Sequence, residues 1–526
     1  MLFTVALLSL LLLAGCQNSA ETGADTSNRI VYGLTLSPSG FDPHINQSSE
    51  IGIVLRQVYD TLIYRDPASG GFTAGLAESW NVSADQTIYT FTLRQGVTFH
   101  DGTPFNAQAV AANLNRIVNP ETRSQNAIFL LGSYSGYEII DDYTIALSFS
   151  TPYAPLLDGL AQVYLGMASP TALEAYPSER YQFRQVGTGP FVFIEYIPDE
   201  RLILRRNPNY AWAPSFYQAP TSEALDEIEF RFFTDPALRI AALEQGATQI
   251  IGELPPADAR VVVGSAQIQV TQTVIPGQPE QFIFNTQRFP TDNLSIRQAL
   301  IHGADRGGIV NTLYQGFSTV AEGPLTPGVQ FYDSASLQTY AFDVRQARAL
   351  ISSQGYIDSD NNGFWDAQGG DLTVKMLVPP WGEFRQMAQL LRDQWQAIGV
   401  QVELDPVPDF PTLLSRVAEG DYNLVAFNSY GVDPSFLSAY FTTDGIRNFA
   451  NISNPELDAL IGEAVRQLAP DLRAQAWSQI QRYITREALI LPIRVRVNLN
   501  GSTERIDGLR FDPYGWFPLL YNVRSR

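Results

Sequence analysis

Cysteine occurs once in these 526 residues, and histidine three times. Lys375 is the only lysine, so nearly all positive charge is arginine. A single cysteine excludes an internal disulfide, which leaves stability to the apolar core. His44, His100 and His302 fall in no His-Glu-x-x-His pattern, so the common zinc-hydrolase arrangement is missing. Gly132-Ser133-Tyr134-Ser135-Gly136 has Tyr where a nucleophile elbow needs Ser. Gly187-Thr188-Gly189-Pro190 lacks the third glycine and the helix opening of a dinucleotide loop, and no Walker sequence occurs. Acidic residues are plentiful, yet nothing singles out a carboxylate pair for sugar chemistry. With 34 basic against 54 acidic residues the net charge is −20, which repels a phosphate backbone and argues against nucleic acid as a partner. After residue 16 no apolar run approaches the ~20 residues of a membrane span.

What is present describes a folded, exported chain. Apolar residues make up 45% and charged residues 17%, the balance of a globular protein, and the length suits two or three domains. Leu2 to Leu13 holds nothing more polar than Thr4 and Ser9, reads as a secretory leader and ends at Leu13-Ala14-Gly15-Cys16. That order resembles the bacterial lipoprotein box, in which the cysteine thiol receives a diacylglyceryl group and becomes the first residue. The resemblance implies a signal peptide over 1–16 and a lipid anchor on Cys16. Two acyl chains plus an N-acyl group exceed a single-chain anchor, so the product would stay on the membrane. Residues 17–28 are small and polar and read as a flexible tether.

The fold is expected to begin with a strand at Arg29–Leu34, followed by a helix from Ile51 to Ile63. Residues Thr87 to Phe99 alternate as a strand, and Asn106 to Ile117 reads as a helix capped by Asn106. Strands are expected at Phe191–Ile197, Arg201–Leu204 and Ile228–Phe233, with a helix at Pro236–Gln245 ended by Gly246. From about residue 280 strands and helices alternate: strands near 282–284, 372–378, 400–404 and 424–427, helices at 295–303, 306–314, 344–353, 384–398 and 410–419. Such alternation predicts an α/β unit with a largely parallel sheet. The tail returns to strands at Ala488–Val497 and Leu509–Phe511.

One segment has metal-ligand spacing. Asp358, Asp360 and Asn362 occupy positions one, three and five of a calcium-type loop, with Gly363 at six and Asp366 at nine. Position twelve, where a bidentate Glu should close the site, is Gly369. Two readings stay open, a bound Ca²⁺ and a plain Asx-rich turn.

Several short segments stand out in order along the chain: Phe41-Asp42-Pro43-His44, Val58-Tyr59-Asp60-Thr61-Leu62, Leu76-Ala77-Glu78-Ser79-Trp80, and the run Tyr89 to Pro104 containing Gly96-Val97-Thr98-Phe99-His100-Asp101-Gly102. They continue as Val186-Gly187-Thr188-Gly189-Pro190-Phe191, Arg206-Asn207-Pro208-Asn209-Tyr210, Ala242-Leu243-Glu244-Gln245-Gly246 and Leu391-Arg392-Asp393-Gln394-Trp395. Together they resemble the extracytoplasmic solute-binding proteins of peptide- and nickel-type ABC importers, bacterial solute-binding protein family five, from about Ile30 to the C-terminus. The resemblance implies a two-lobed α/β fold of the periplasmic-binding-protein type (type II, cluster C). Its first lobe would have a base of residues 29–65, 167–275 and 491–526 plus an inserted domain at 66–166; the second lobe would be 276–490. It also implies a monomeric, non-enzymatic receptor without cofactor that passes a peptide or similar solute to permease subunits and their ATPase. An oligosaccharide or a nickel or other metal chelate is the alternative ligand; a secreted hydrolase and an envelope sensor are the rival classes.

The ligand is expected between the lobes, against Asn428–Asp433 and Pro379–Gly382, loops that follow strands. Tyr430, Asp433 and Trp381 are the candidate contacts from the second lobe, Phe41 and Asp42 those from the first, with Trp516 beside them. In peptide-binding members an Asp three residues before the Asp-Pro pair holds the peptide ammonium; here that position is Tyr430. Some members hold the carboxylate with an Arg after the strand at 372–378, and Val378 to Trp381 contains none. An aromatic lining favouring stacking and backbone contacts over charge pairing is the resulting expectation.

Overall fold

The computed structural model describes residues 28–36, 38–46, 48–218, 224–367 and 370–525. The leader, Cys16 and Gly369 lie outside them. Arg29–Leu34 is the strand its β-rich composition predicts, pairing in parallel with Glu227–Phe232 on one side and Ile250–Ile251 on the other. Around it grows a seven-stranded sheet in the order 268–274, 497–503, 250–251, 29–34, 227–232, 201–206, 191–197. A four-stranded antiparallel sheet, in the order 77–82, 88–93, 144–149, 134–141, lies within the same half of the molecule, and one continuous apolar core joins the two. The second half is built on a five-stranded sheet ordered 401–406, 373–378, 424–427, 280–284, 490–494. These are the two lobes.

Only part of the second sheet is parallel, a correction to the expectation of a largely parallel one. Thr373–Val378 runs parallel to both Gln401–Pro406 and Leu424–Phe427. Glu280–Phe284 is antiparallel to its neighbours because it brings the chain into the lobe beside Ile490–Arg494, which takes it out. The helix Phe384–Gln396 shows how this core forms. Phe384, Met387, Ala388, Leu391 and Trp395 recur at helical spacing and are buried, and the Trp395 indole donates to the Leu300 carbonyl at 2.8 Å.

Three further expectations need correction. The helix starting near Ile51 ends at Val58, where Tyr59 is already extended; the apolar spacing continues to Leu62 and left its end unmarked. Leu509–Phe511 is not a strand and makes one isolated bridge, between Phe511 and Pro518. Ala488–Val497 is two strands, Ile490–Arg494 in the second lobe and Val497–Thr503 in the first. Val495 and Arg496, at the break, form one crossing between lobes, and 275–279 forms the other. The Ile275 amide donates to the Arg496 carbonyl at 3.0 Å, so the crossings are bonded together. The close-set helices Pro455–Arg466 and Pro470–Arg486 were not anticipated, although Asn454 before Pro455 is an N-cap signal and accepts from the Leu457 amide at 2.9 Å.

Three of these motifs meet inside the first lobe. Buried Asp60 accepts from Tyr64 Oη at 2.6 Å and from Thr188 Oγ1, Tyr210 Oη and Trp212 Nε1, each at 2.9 Å. Three motifs distant in sequence thus converge on one carboxylate, which explains their residue types as structure. His100 is likewise structural, its Nε2 lying 2.9 Å from the Gly189 carbonyl.

Glu50 is a buried carboxyl under strain. Burial, followed by the charge of Glu253, pushes it from the ordinary 4.5 up to about 7, with hydrogen bonds from Thr35 and then Arg239 pulling the other way. The folded state therefore holds this proton more tightly than the unfolded chain, so stability falls as pH rises between those two values. Glu50→Gln is expected to match the wild type at pH 4 and to exceed it by about 1–3 kcal/mol at pH 8, measured by thermal unfolding at both pH values.

Candidate functional site

The lobes touch along a cleft. Tyr164 Oη of the first lobe lies 2.6 Å from Tyr430 Oη of the second, and the Ala154 amide donates to the Val465 carbonyl at 3.0 Å. Between them is a cavity of about 500 Å³, within the size range of small-molecule sites. The first lobe contributes the short helices Asn126–Leu131 and Leu156–Ala161 and the ring of Tyr153. The second contributes Asn428–Gly431 and Asp433, which follow the C-terminal end of the strand Leu424–Phe427, together with Phe410, Tyr440 and Arg447. Loops at that end of an α/β sheet face the ligand. Gly277 on the crossing segment holds this loop in place: it bridges Tyr430 with φ +149°, and a Cβ there would overlap the Ser429 carbonyl and the Tyr430 backbone.

The charges lining this cavity are unequal. Asp433 is buried and paired bidentately with Arg473 at 2.7 and 2.9 Å. Burial alone would raise its carboxyl, but Arg473 holds it below the usual range. It also accepts from the Ser435 amide at 2.9 Å, as the cap of the turn Pro434–Leu437. Asp158 is paired with Arg65 and accepts from Tyr514 Oη at 2.9 Å. Both acids are therefore neutralised. Arg447 has no carboxylate at ion-pairing distance among the described residues; its Nη1 donates to Tyr440 Oη at 3.0 Å and its guanidinium lies 5.6–5.9 Å from the rings of Phe410, Phe427 and Tyr440. Arg496, at the crossing, likewise lacks an ion-paired carboxylate there and sits 5.4 Å from the Trp516 ring. Burial pulls the Arg496 pKa down, with Glu280 and Glu253 opposing at longer range.

A second cavity of about 360 Å³ adjoins the first, sharing Asn428 and Arg496 in its lining. Trp381, Trp516, Glu253, Glu383 and Asn498 also line it. Glu280, on its wall, is bound bidentately by Arg494 at 2.6 and 2.7 Å and accepts from Tyr314 Oη at 2.8 Å.

The expected contacts divide accordingly. Tyr430 and Asp433 line the first cavity, although the Tyr430 hydroxyl is engaged by Tyr164 and the Asp433 carboxylate by Arg473. Trp381 and Trp516 line the second. Phe41 and Asp42 line neither cavity and belong to the first-lobe interior: Phe41 packs edge-on against Phe193 and Tyr196, and Asp42 binds Arg116, one contact being 2.9 Å. Their motif serves packing, because an ion pair fully removed from water needs its partner inside the lobe. In the loop, Asp358 accepts from the amides of Asn362 and Gly363 at 3.1 and 3.0 Å, Asp360 from Asn362 at 3.1 Å, and Asp366 from that of Ser359 at 2.7 Å. These carboxylates are occupied by their own backbone, as in an Asx-rich turn. Among the described residues no three His, Cys, Asp or Glu side chains gather as a metal site, and no helix is long and apolar enough to cross a membrane. Sequence reading missed Arg447 and Arg496, so the aromatic lining does carry charge.

Comparison with known proteins gives a consistent result. The model for bacterial extracellular solute-binding proteins, family 5 Middle, matches residues 71–448. Heme-binding protein A of Haemophilus influenzae is 29% identical over 545 aligned positions, covering 96% of each chain. The glutathione-binding protein GsiB of Salmonella typhimurium is 26% identical over 440, covering 83% of each. Among solved structures, NikA from Brucella suis in complex with Fe(III)-EDTA has the same fold, with a TM-score of 0.84 at 21% identity over 95% of this chain and 100% of that one. A dipeptide-binding protein from Pseudoalteromonas in complex with Met-Leu gives 0.78 at 23% identity, with the same two coverages.

Proposed function

The chain belongs to the bacterial extracellular solute-binding proteins of family 5, and from that premise we propose that it is the capture subunit of an ABC importer for an acid-bearing, peptide-like solute. The solute sits in the larger cavity with a carboxylate facing Arg447 and Arg496, is enclosed by the two lobes, and passes unaltered to permease subunits and their ATPase. One observation carries this reading: both acids lining the cavity already have their arginines, while these two guanidiniums have none. A half-buried guanidinium without a paired carboxylate has donors to spare, and a bidentate carboxylate supplies what it lacks. Glutathione, a dipeptide and an EDTA chelate, which name the ligands of three relatives, all carry carboxylates. A neutral sugar would leave both guanidiniums unpaired.

The test is capture from a degenerate tetrapeptide library followed by mass spectrometry. Bound peptides should be recovered intact and should raise the melting temperature; hydrolysed products, or no capture, would overturn the reading. The proposal includes a lipid anchor on Cys16 that holds the receptor at the extracytoplasmic membrane face. Cys16→Ser is expected to move the protein from the membrane fraction to the soluble fraction, checked by sedimentation and immunoblot. Continued sedimentation with membranes would contradict the anchor.

A further inference from the structure

The smaller cavity carries both signs of charge, with Arg239, Arg494 and Arg496 lining it beside Glu253, Glu280 and Glu383. Glu253 and Glu383 line it, and neither has a cation at ion-pairing distance among the described residues, whereas Glu280 beside them is fully engaged by Arg494 and Tyr314. Glu253 is held at φ +45°, a left-handed conformation that residues other than glycine rarely adopt. Such strain gathers at binding sites, where surrounding structure imposes it. Asn498 is 4% exposed and its Oδ1 has no hydrogen-bond partner, although its amide nitrogen donates to the Gly515 carbonyl at 3.0 Å. A buried acceptor left unmatched in this way asks for a donor. Trp381 and Trp516 supply aromatic walls, the Trp516 ring already having the Arg496 guanidinium 5.4 Å from it and Trp381 being left for a ligand cation.

The two carboxylates without an ion pair, the Asn498 amide oxygen and the aromatic faces are acceptors for one kind of group, and they stand beside two donors without a partner among the described residues, Arg239 Nε and Trp516 Nε1. A primary ammonium brings three N–H donors and no acceptor. A hard metal ion would need six or more oxygens and gains nothing from indole walls. We infer that the smaller cavity receives the amine end of the solute whose acid end rests on Arg447, so that the solute lies across the crossing segments, past Asn428 and Arg496. This rests on the acid-end reading above and adds a polarity to it. The amine contacts are the carboxylates of Glu253 and Glu383.

The experiment compares capture by the full-length chain in detergent of three degenerate tetrapeptide libraries: free at both ends, N-acetylated, and C-amidated. Acetylation is expected to lower capture at least tenfold in the wild type, and to change capture by less than twofold in a Glu253→Gln, Glu383→Gln double variant. If the double variant captures no library, the single variants decide, each expected to shrink the discrimination against acetylation at least threefold. Equal capture of free and acetylated peptides, with amidated ones rejected, would overturn the amine site and leave the acid-end reading standing. Discrimination against acetylation that survives in full in the variants would also overturn it. Capture of none of the libraries by the wild type would remove both readings together.

Discussion

An Arg447→Met, Arg496→Met double variant is expected to lose ligand affinity by at least about a hundredfold while melting at the same temperature as the wild type or higher. Removing one partner of a desolvated, hydrogen-bonded charge pair costs 2–5 kcal/mol of binding, and ~2.7 kcal/mol is already a hundredfold. The stability change has the opposite sign because neither guanidinium has a carboxylate at ion-pairing distance among the described residues, the two acids of the same lining being engaged by Arg65 and Arg473. Methionine keeps an unbranched apolar stem, shorter than that of arginine, and relieves that cost. Loss of binding coupled to a gain in stability is the signature of a residue kept for function. Titration calorimetry with captured peptides and a thermal melt measure both quantities. A fall in both would mean that the arginines serve the fold.

Arg473 should behave in the reverse manner. Arg473→Met is expected to destabilise the protein by about 3–5 kcal/mol, because it strands the buried Asp433 carboxylate. Asp433 now titrates below the usual carboxylate range. Without its guanidinium, burial is opposed only by the Ser435 hydrogen bonds, and its pKa rises. In the wild type the pair contributes stability above the unfolded carboxylate pKa and loses it as pH falls through the folded one. The deficit of the variant should therefore be greatest at neutral pH and shrink toward pH 4, as Asp433 takes up a proton. Denaturant unfolding at pH 7.5 and pH 4 checks this. A deficit independent of pH would point to lost packing against Phe331, over which the guanidinium lies at 5.4 Å.

Much of the fold was legible because its helices advertise themselves. Asn106, Asp235 and Asp409 each cap the helix that follows, and the apolar spacing of 384–396 gives its buried face directly. The site was far less legible, for a topological reason. Arg494 and Arg496 alternate with apolar residues and read as the polar face of one strand, so they invite one explanation. The chain breaks between them as it leaves the second lobe, giving Arg494 to Glu280 and placing Arg496 over the cleft. No local pattern marks that break. Arg447 sits in a loop whose neighbours say nothing of the rings beneath it, and only the closing of Phe410, Phe427 and Tyr440 around it makes it part of a site. Phe41 and Asp42 failed in the other direction, since a family motif can hold a lobe together without facing its ligand. The partner that explains Asp42 is Arg116, 74 residues away.

The most direct test of the account is the affinity of captured peptides against that of their C-terminal amides, measured on the wild-type protein under the same conditions. Amidation removes one negative charge and leaves the side chains unchanged. Arg447 and Arg496 then face a group that cannot pair with them, and the affinity should fall at least tenfold. Equal affinity for acid and amide would contradict the claim that this receptor grips its solute by an acid end between the lobes.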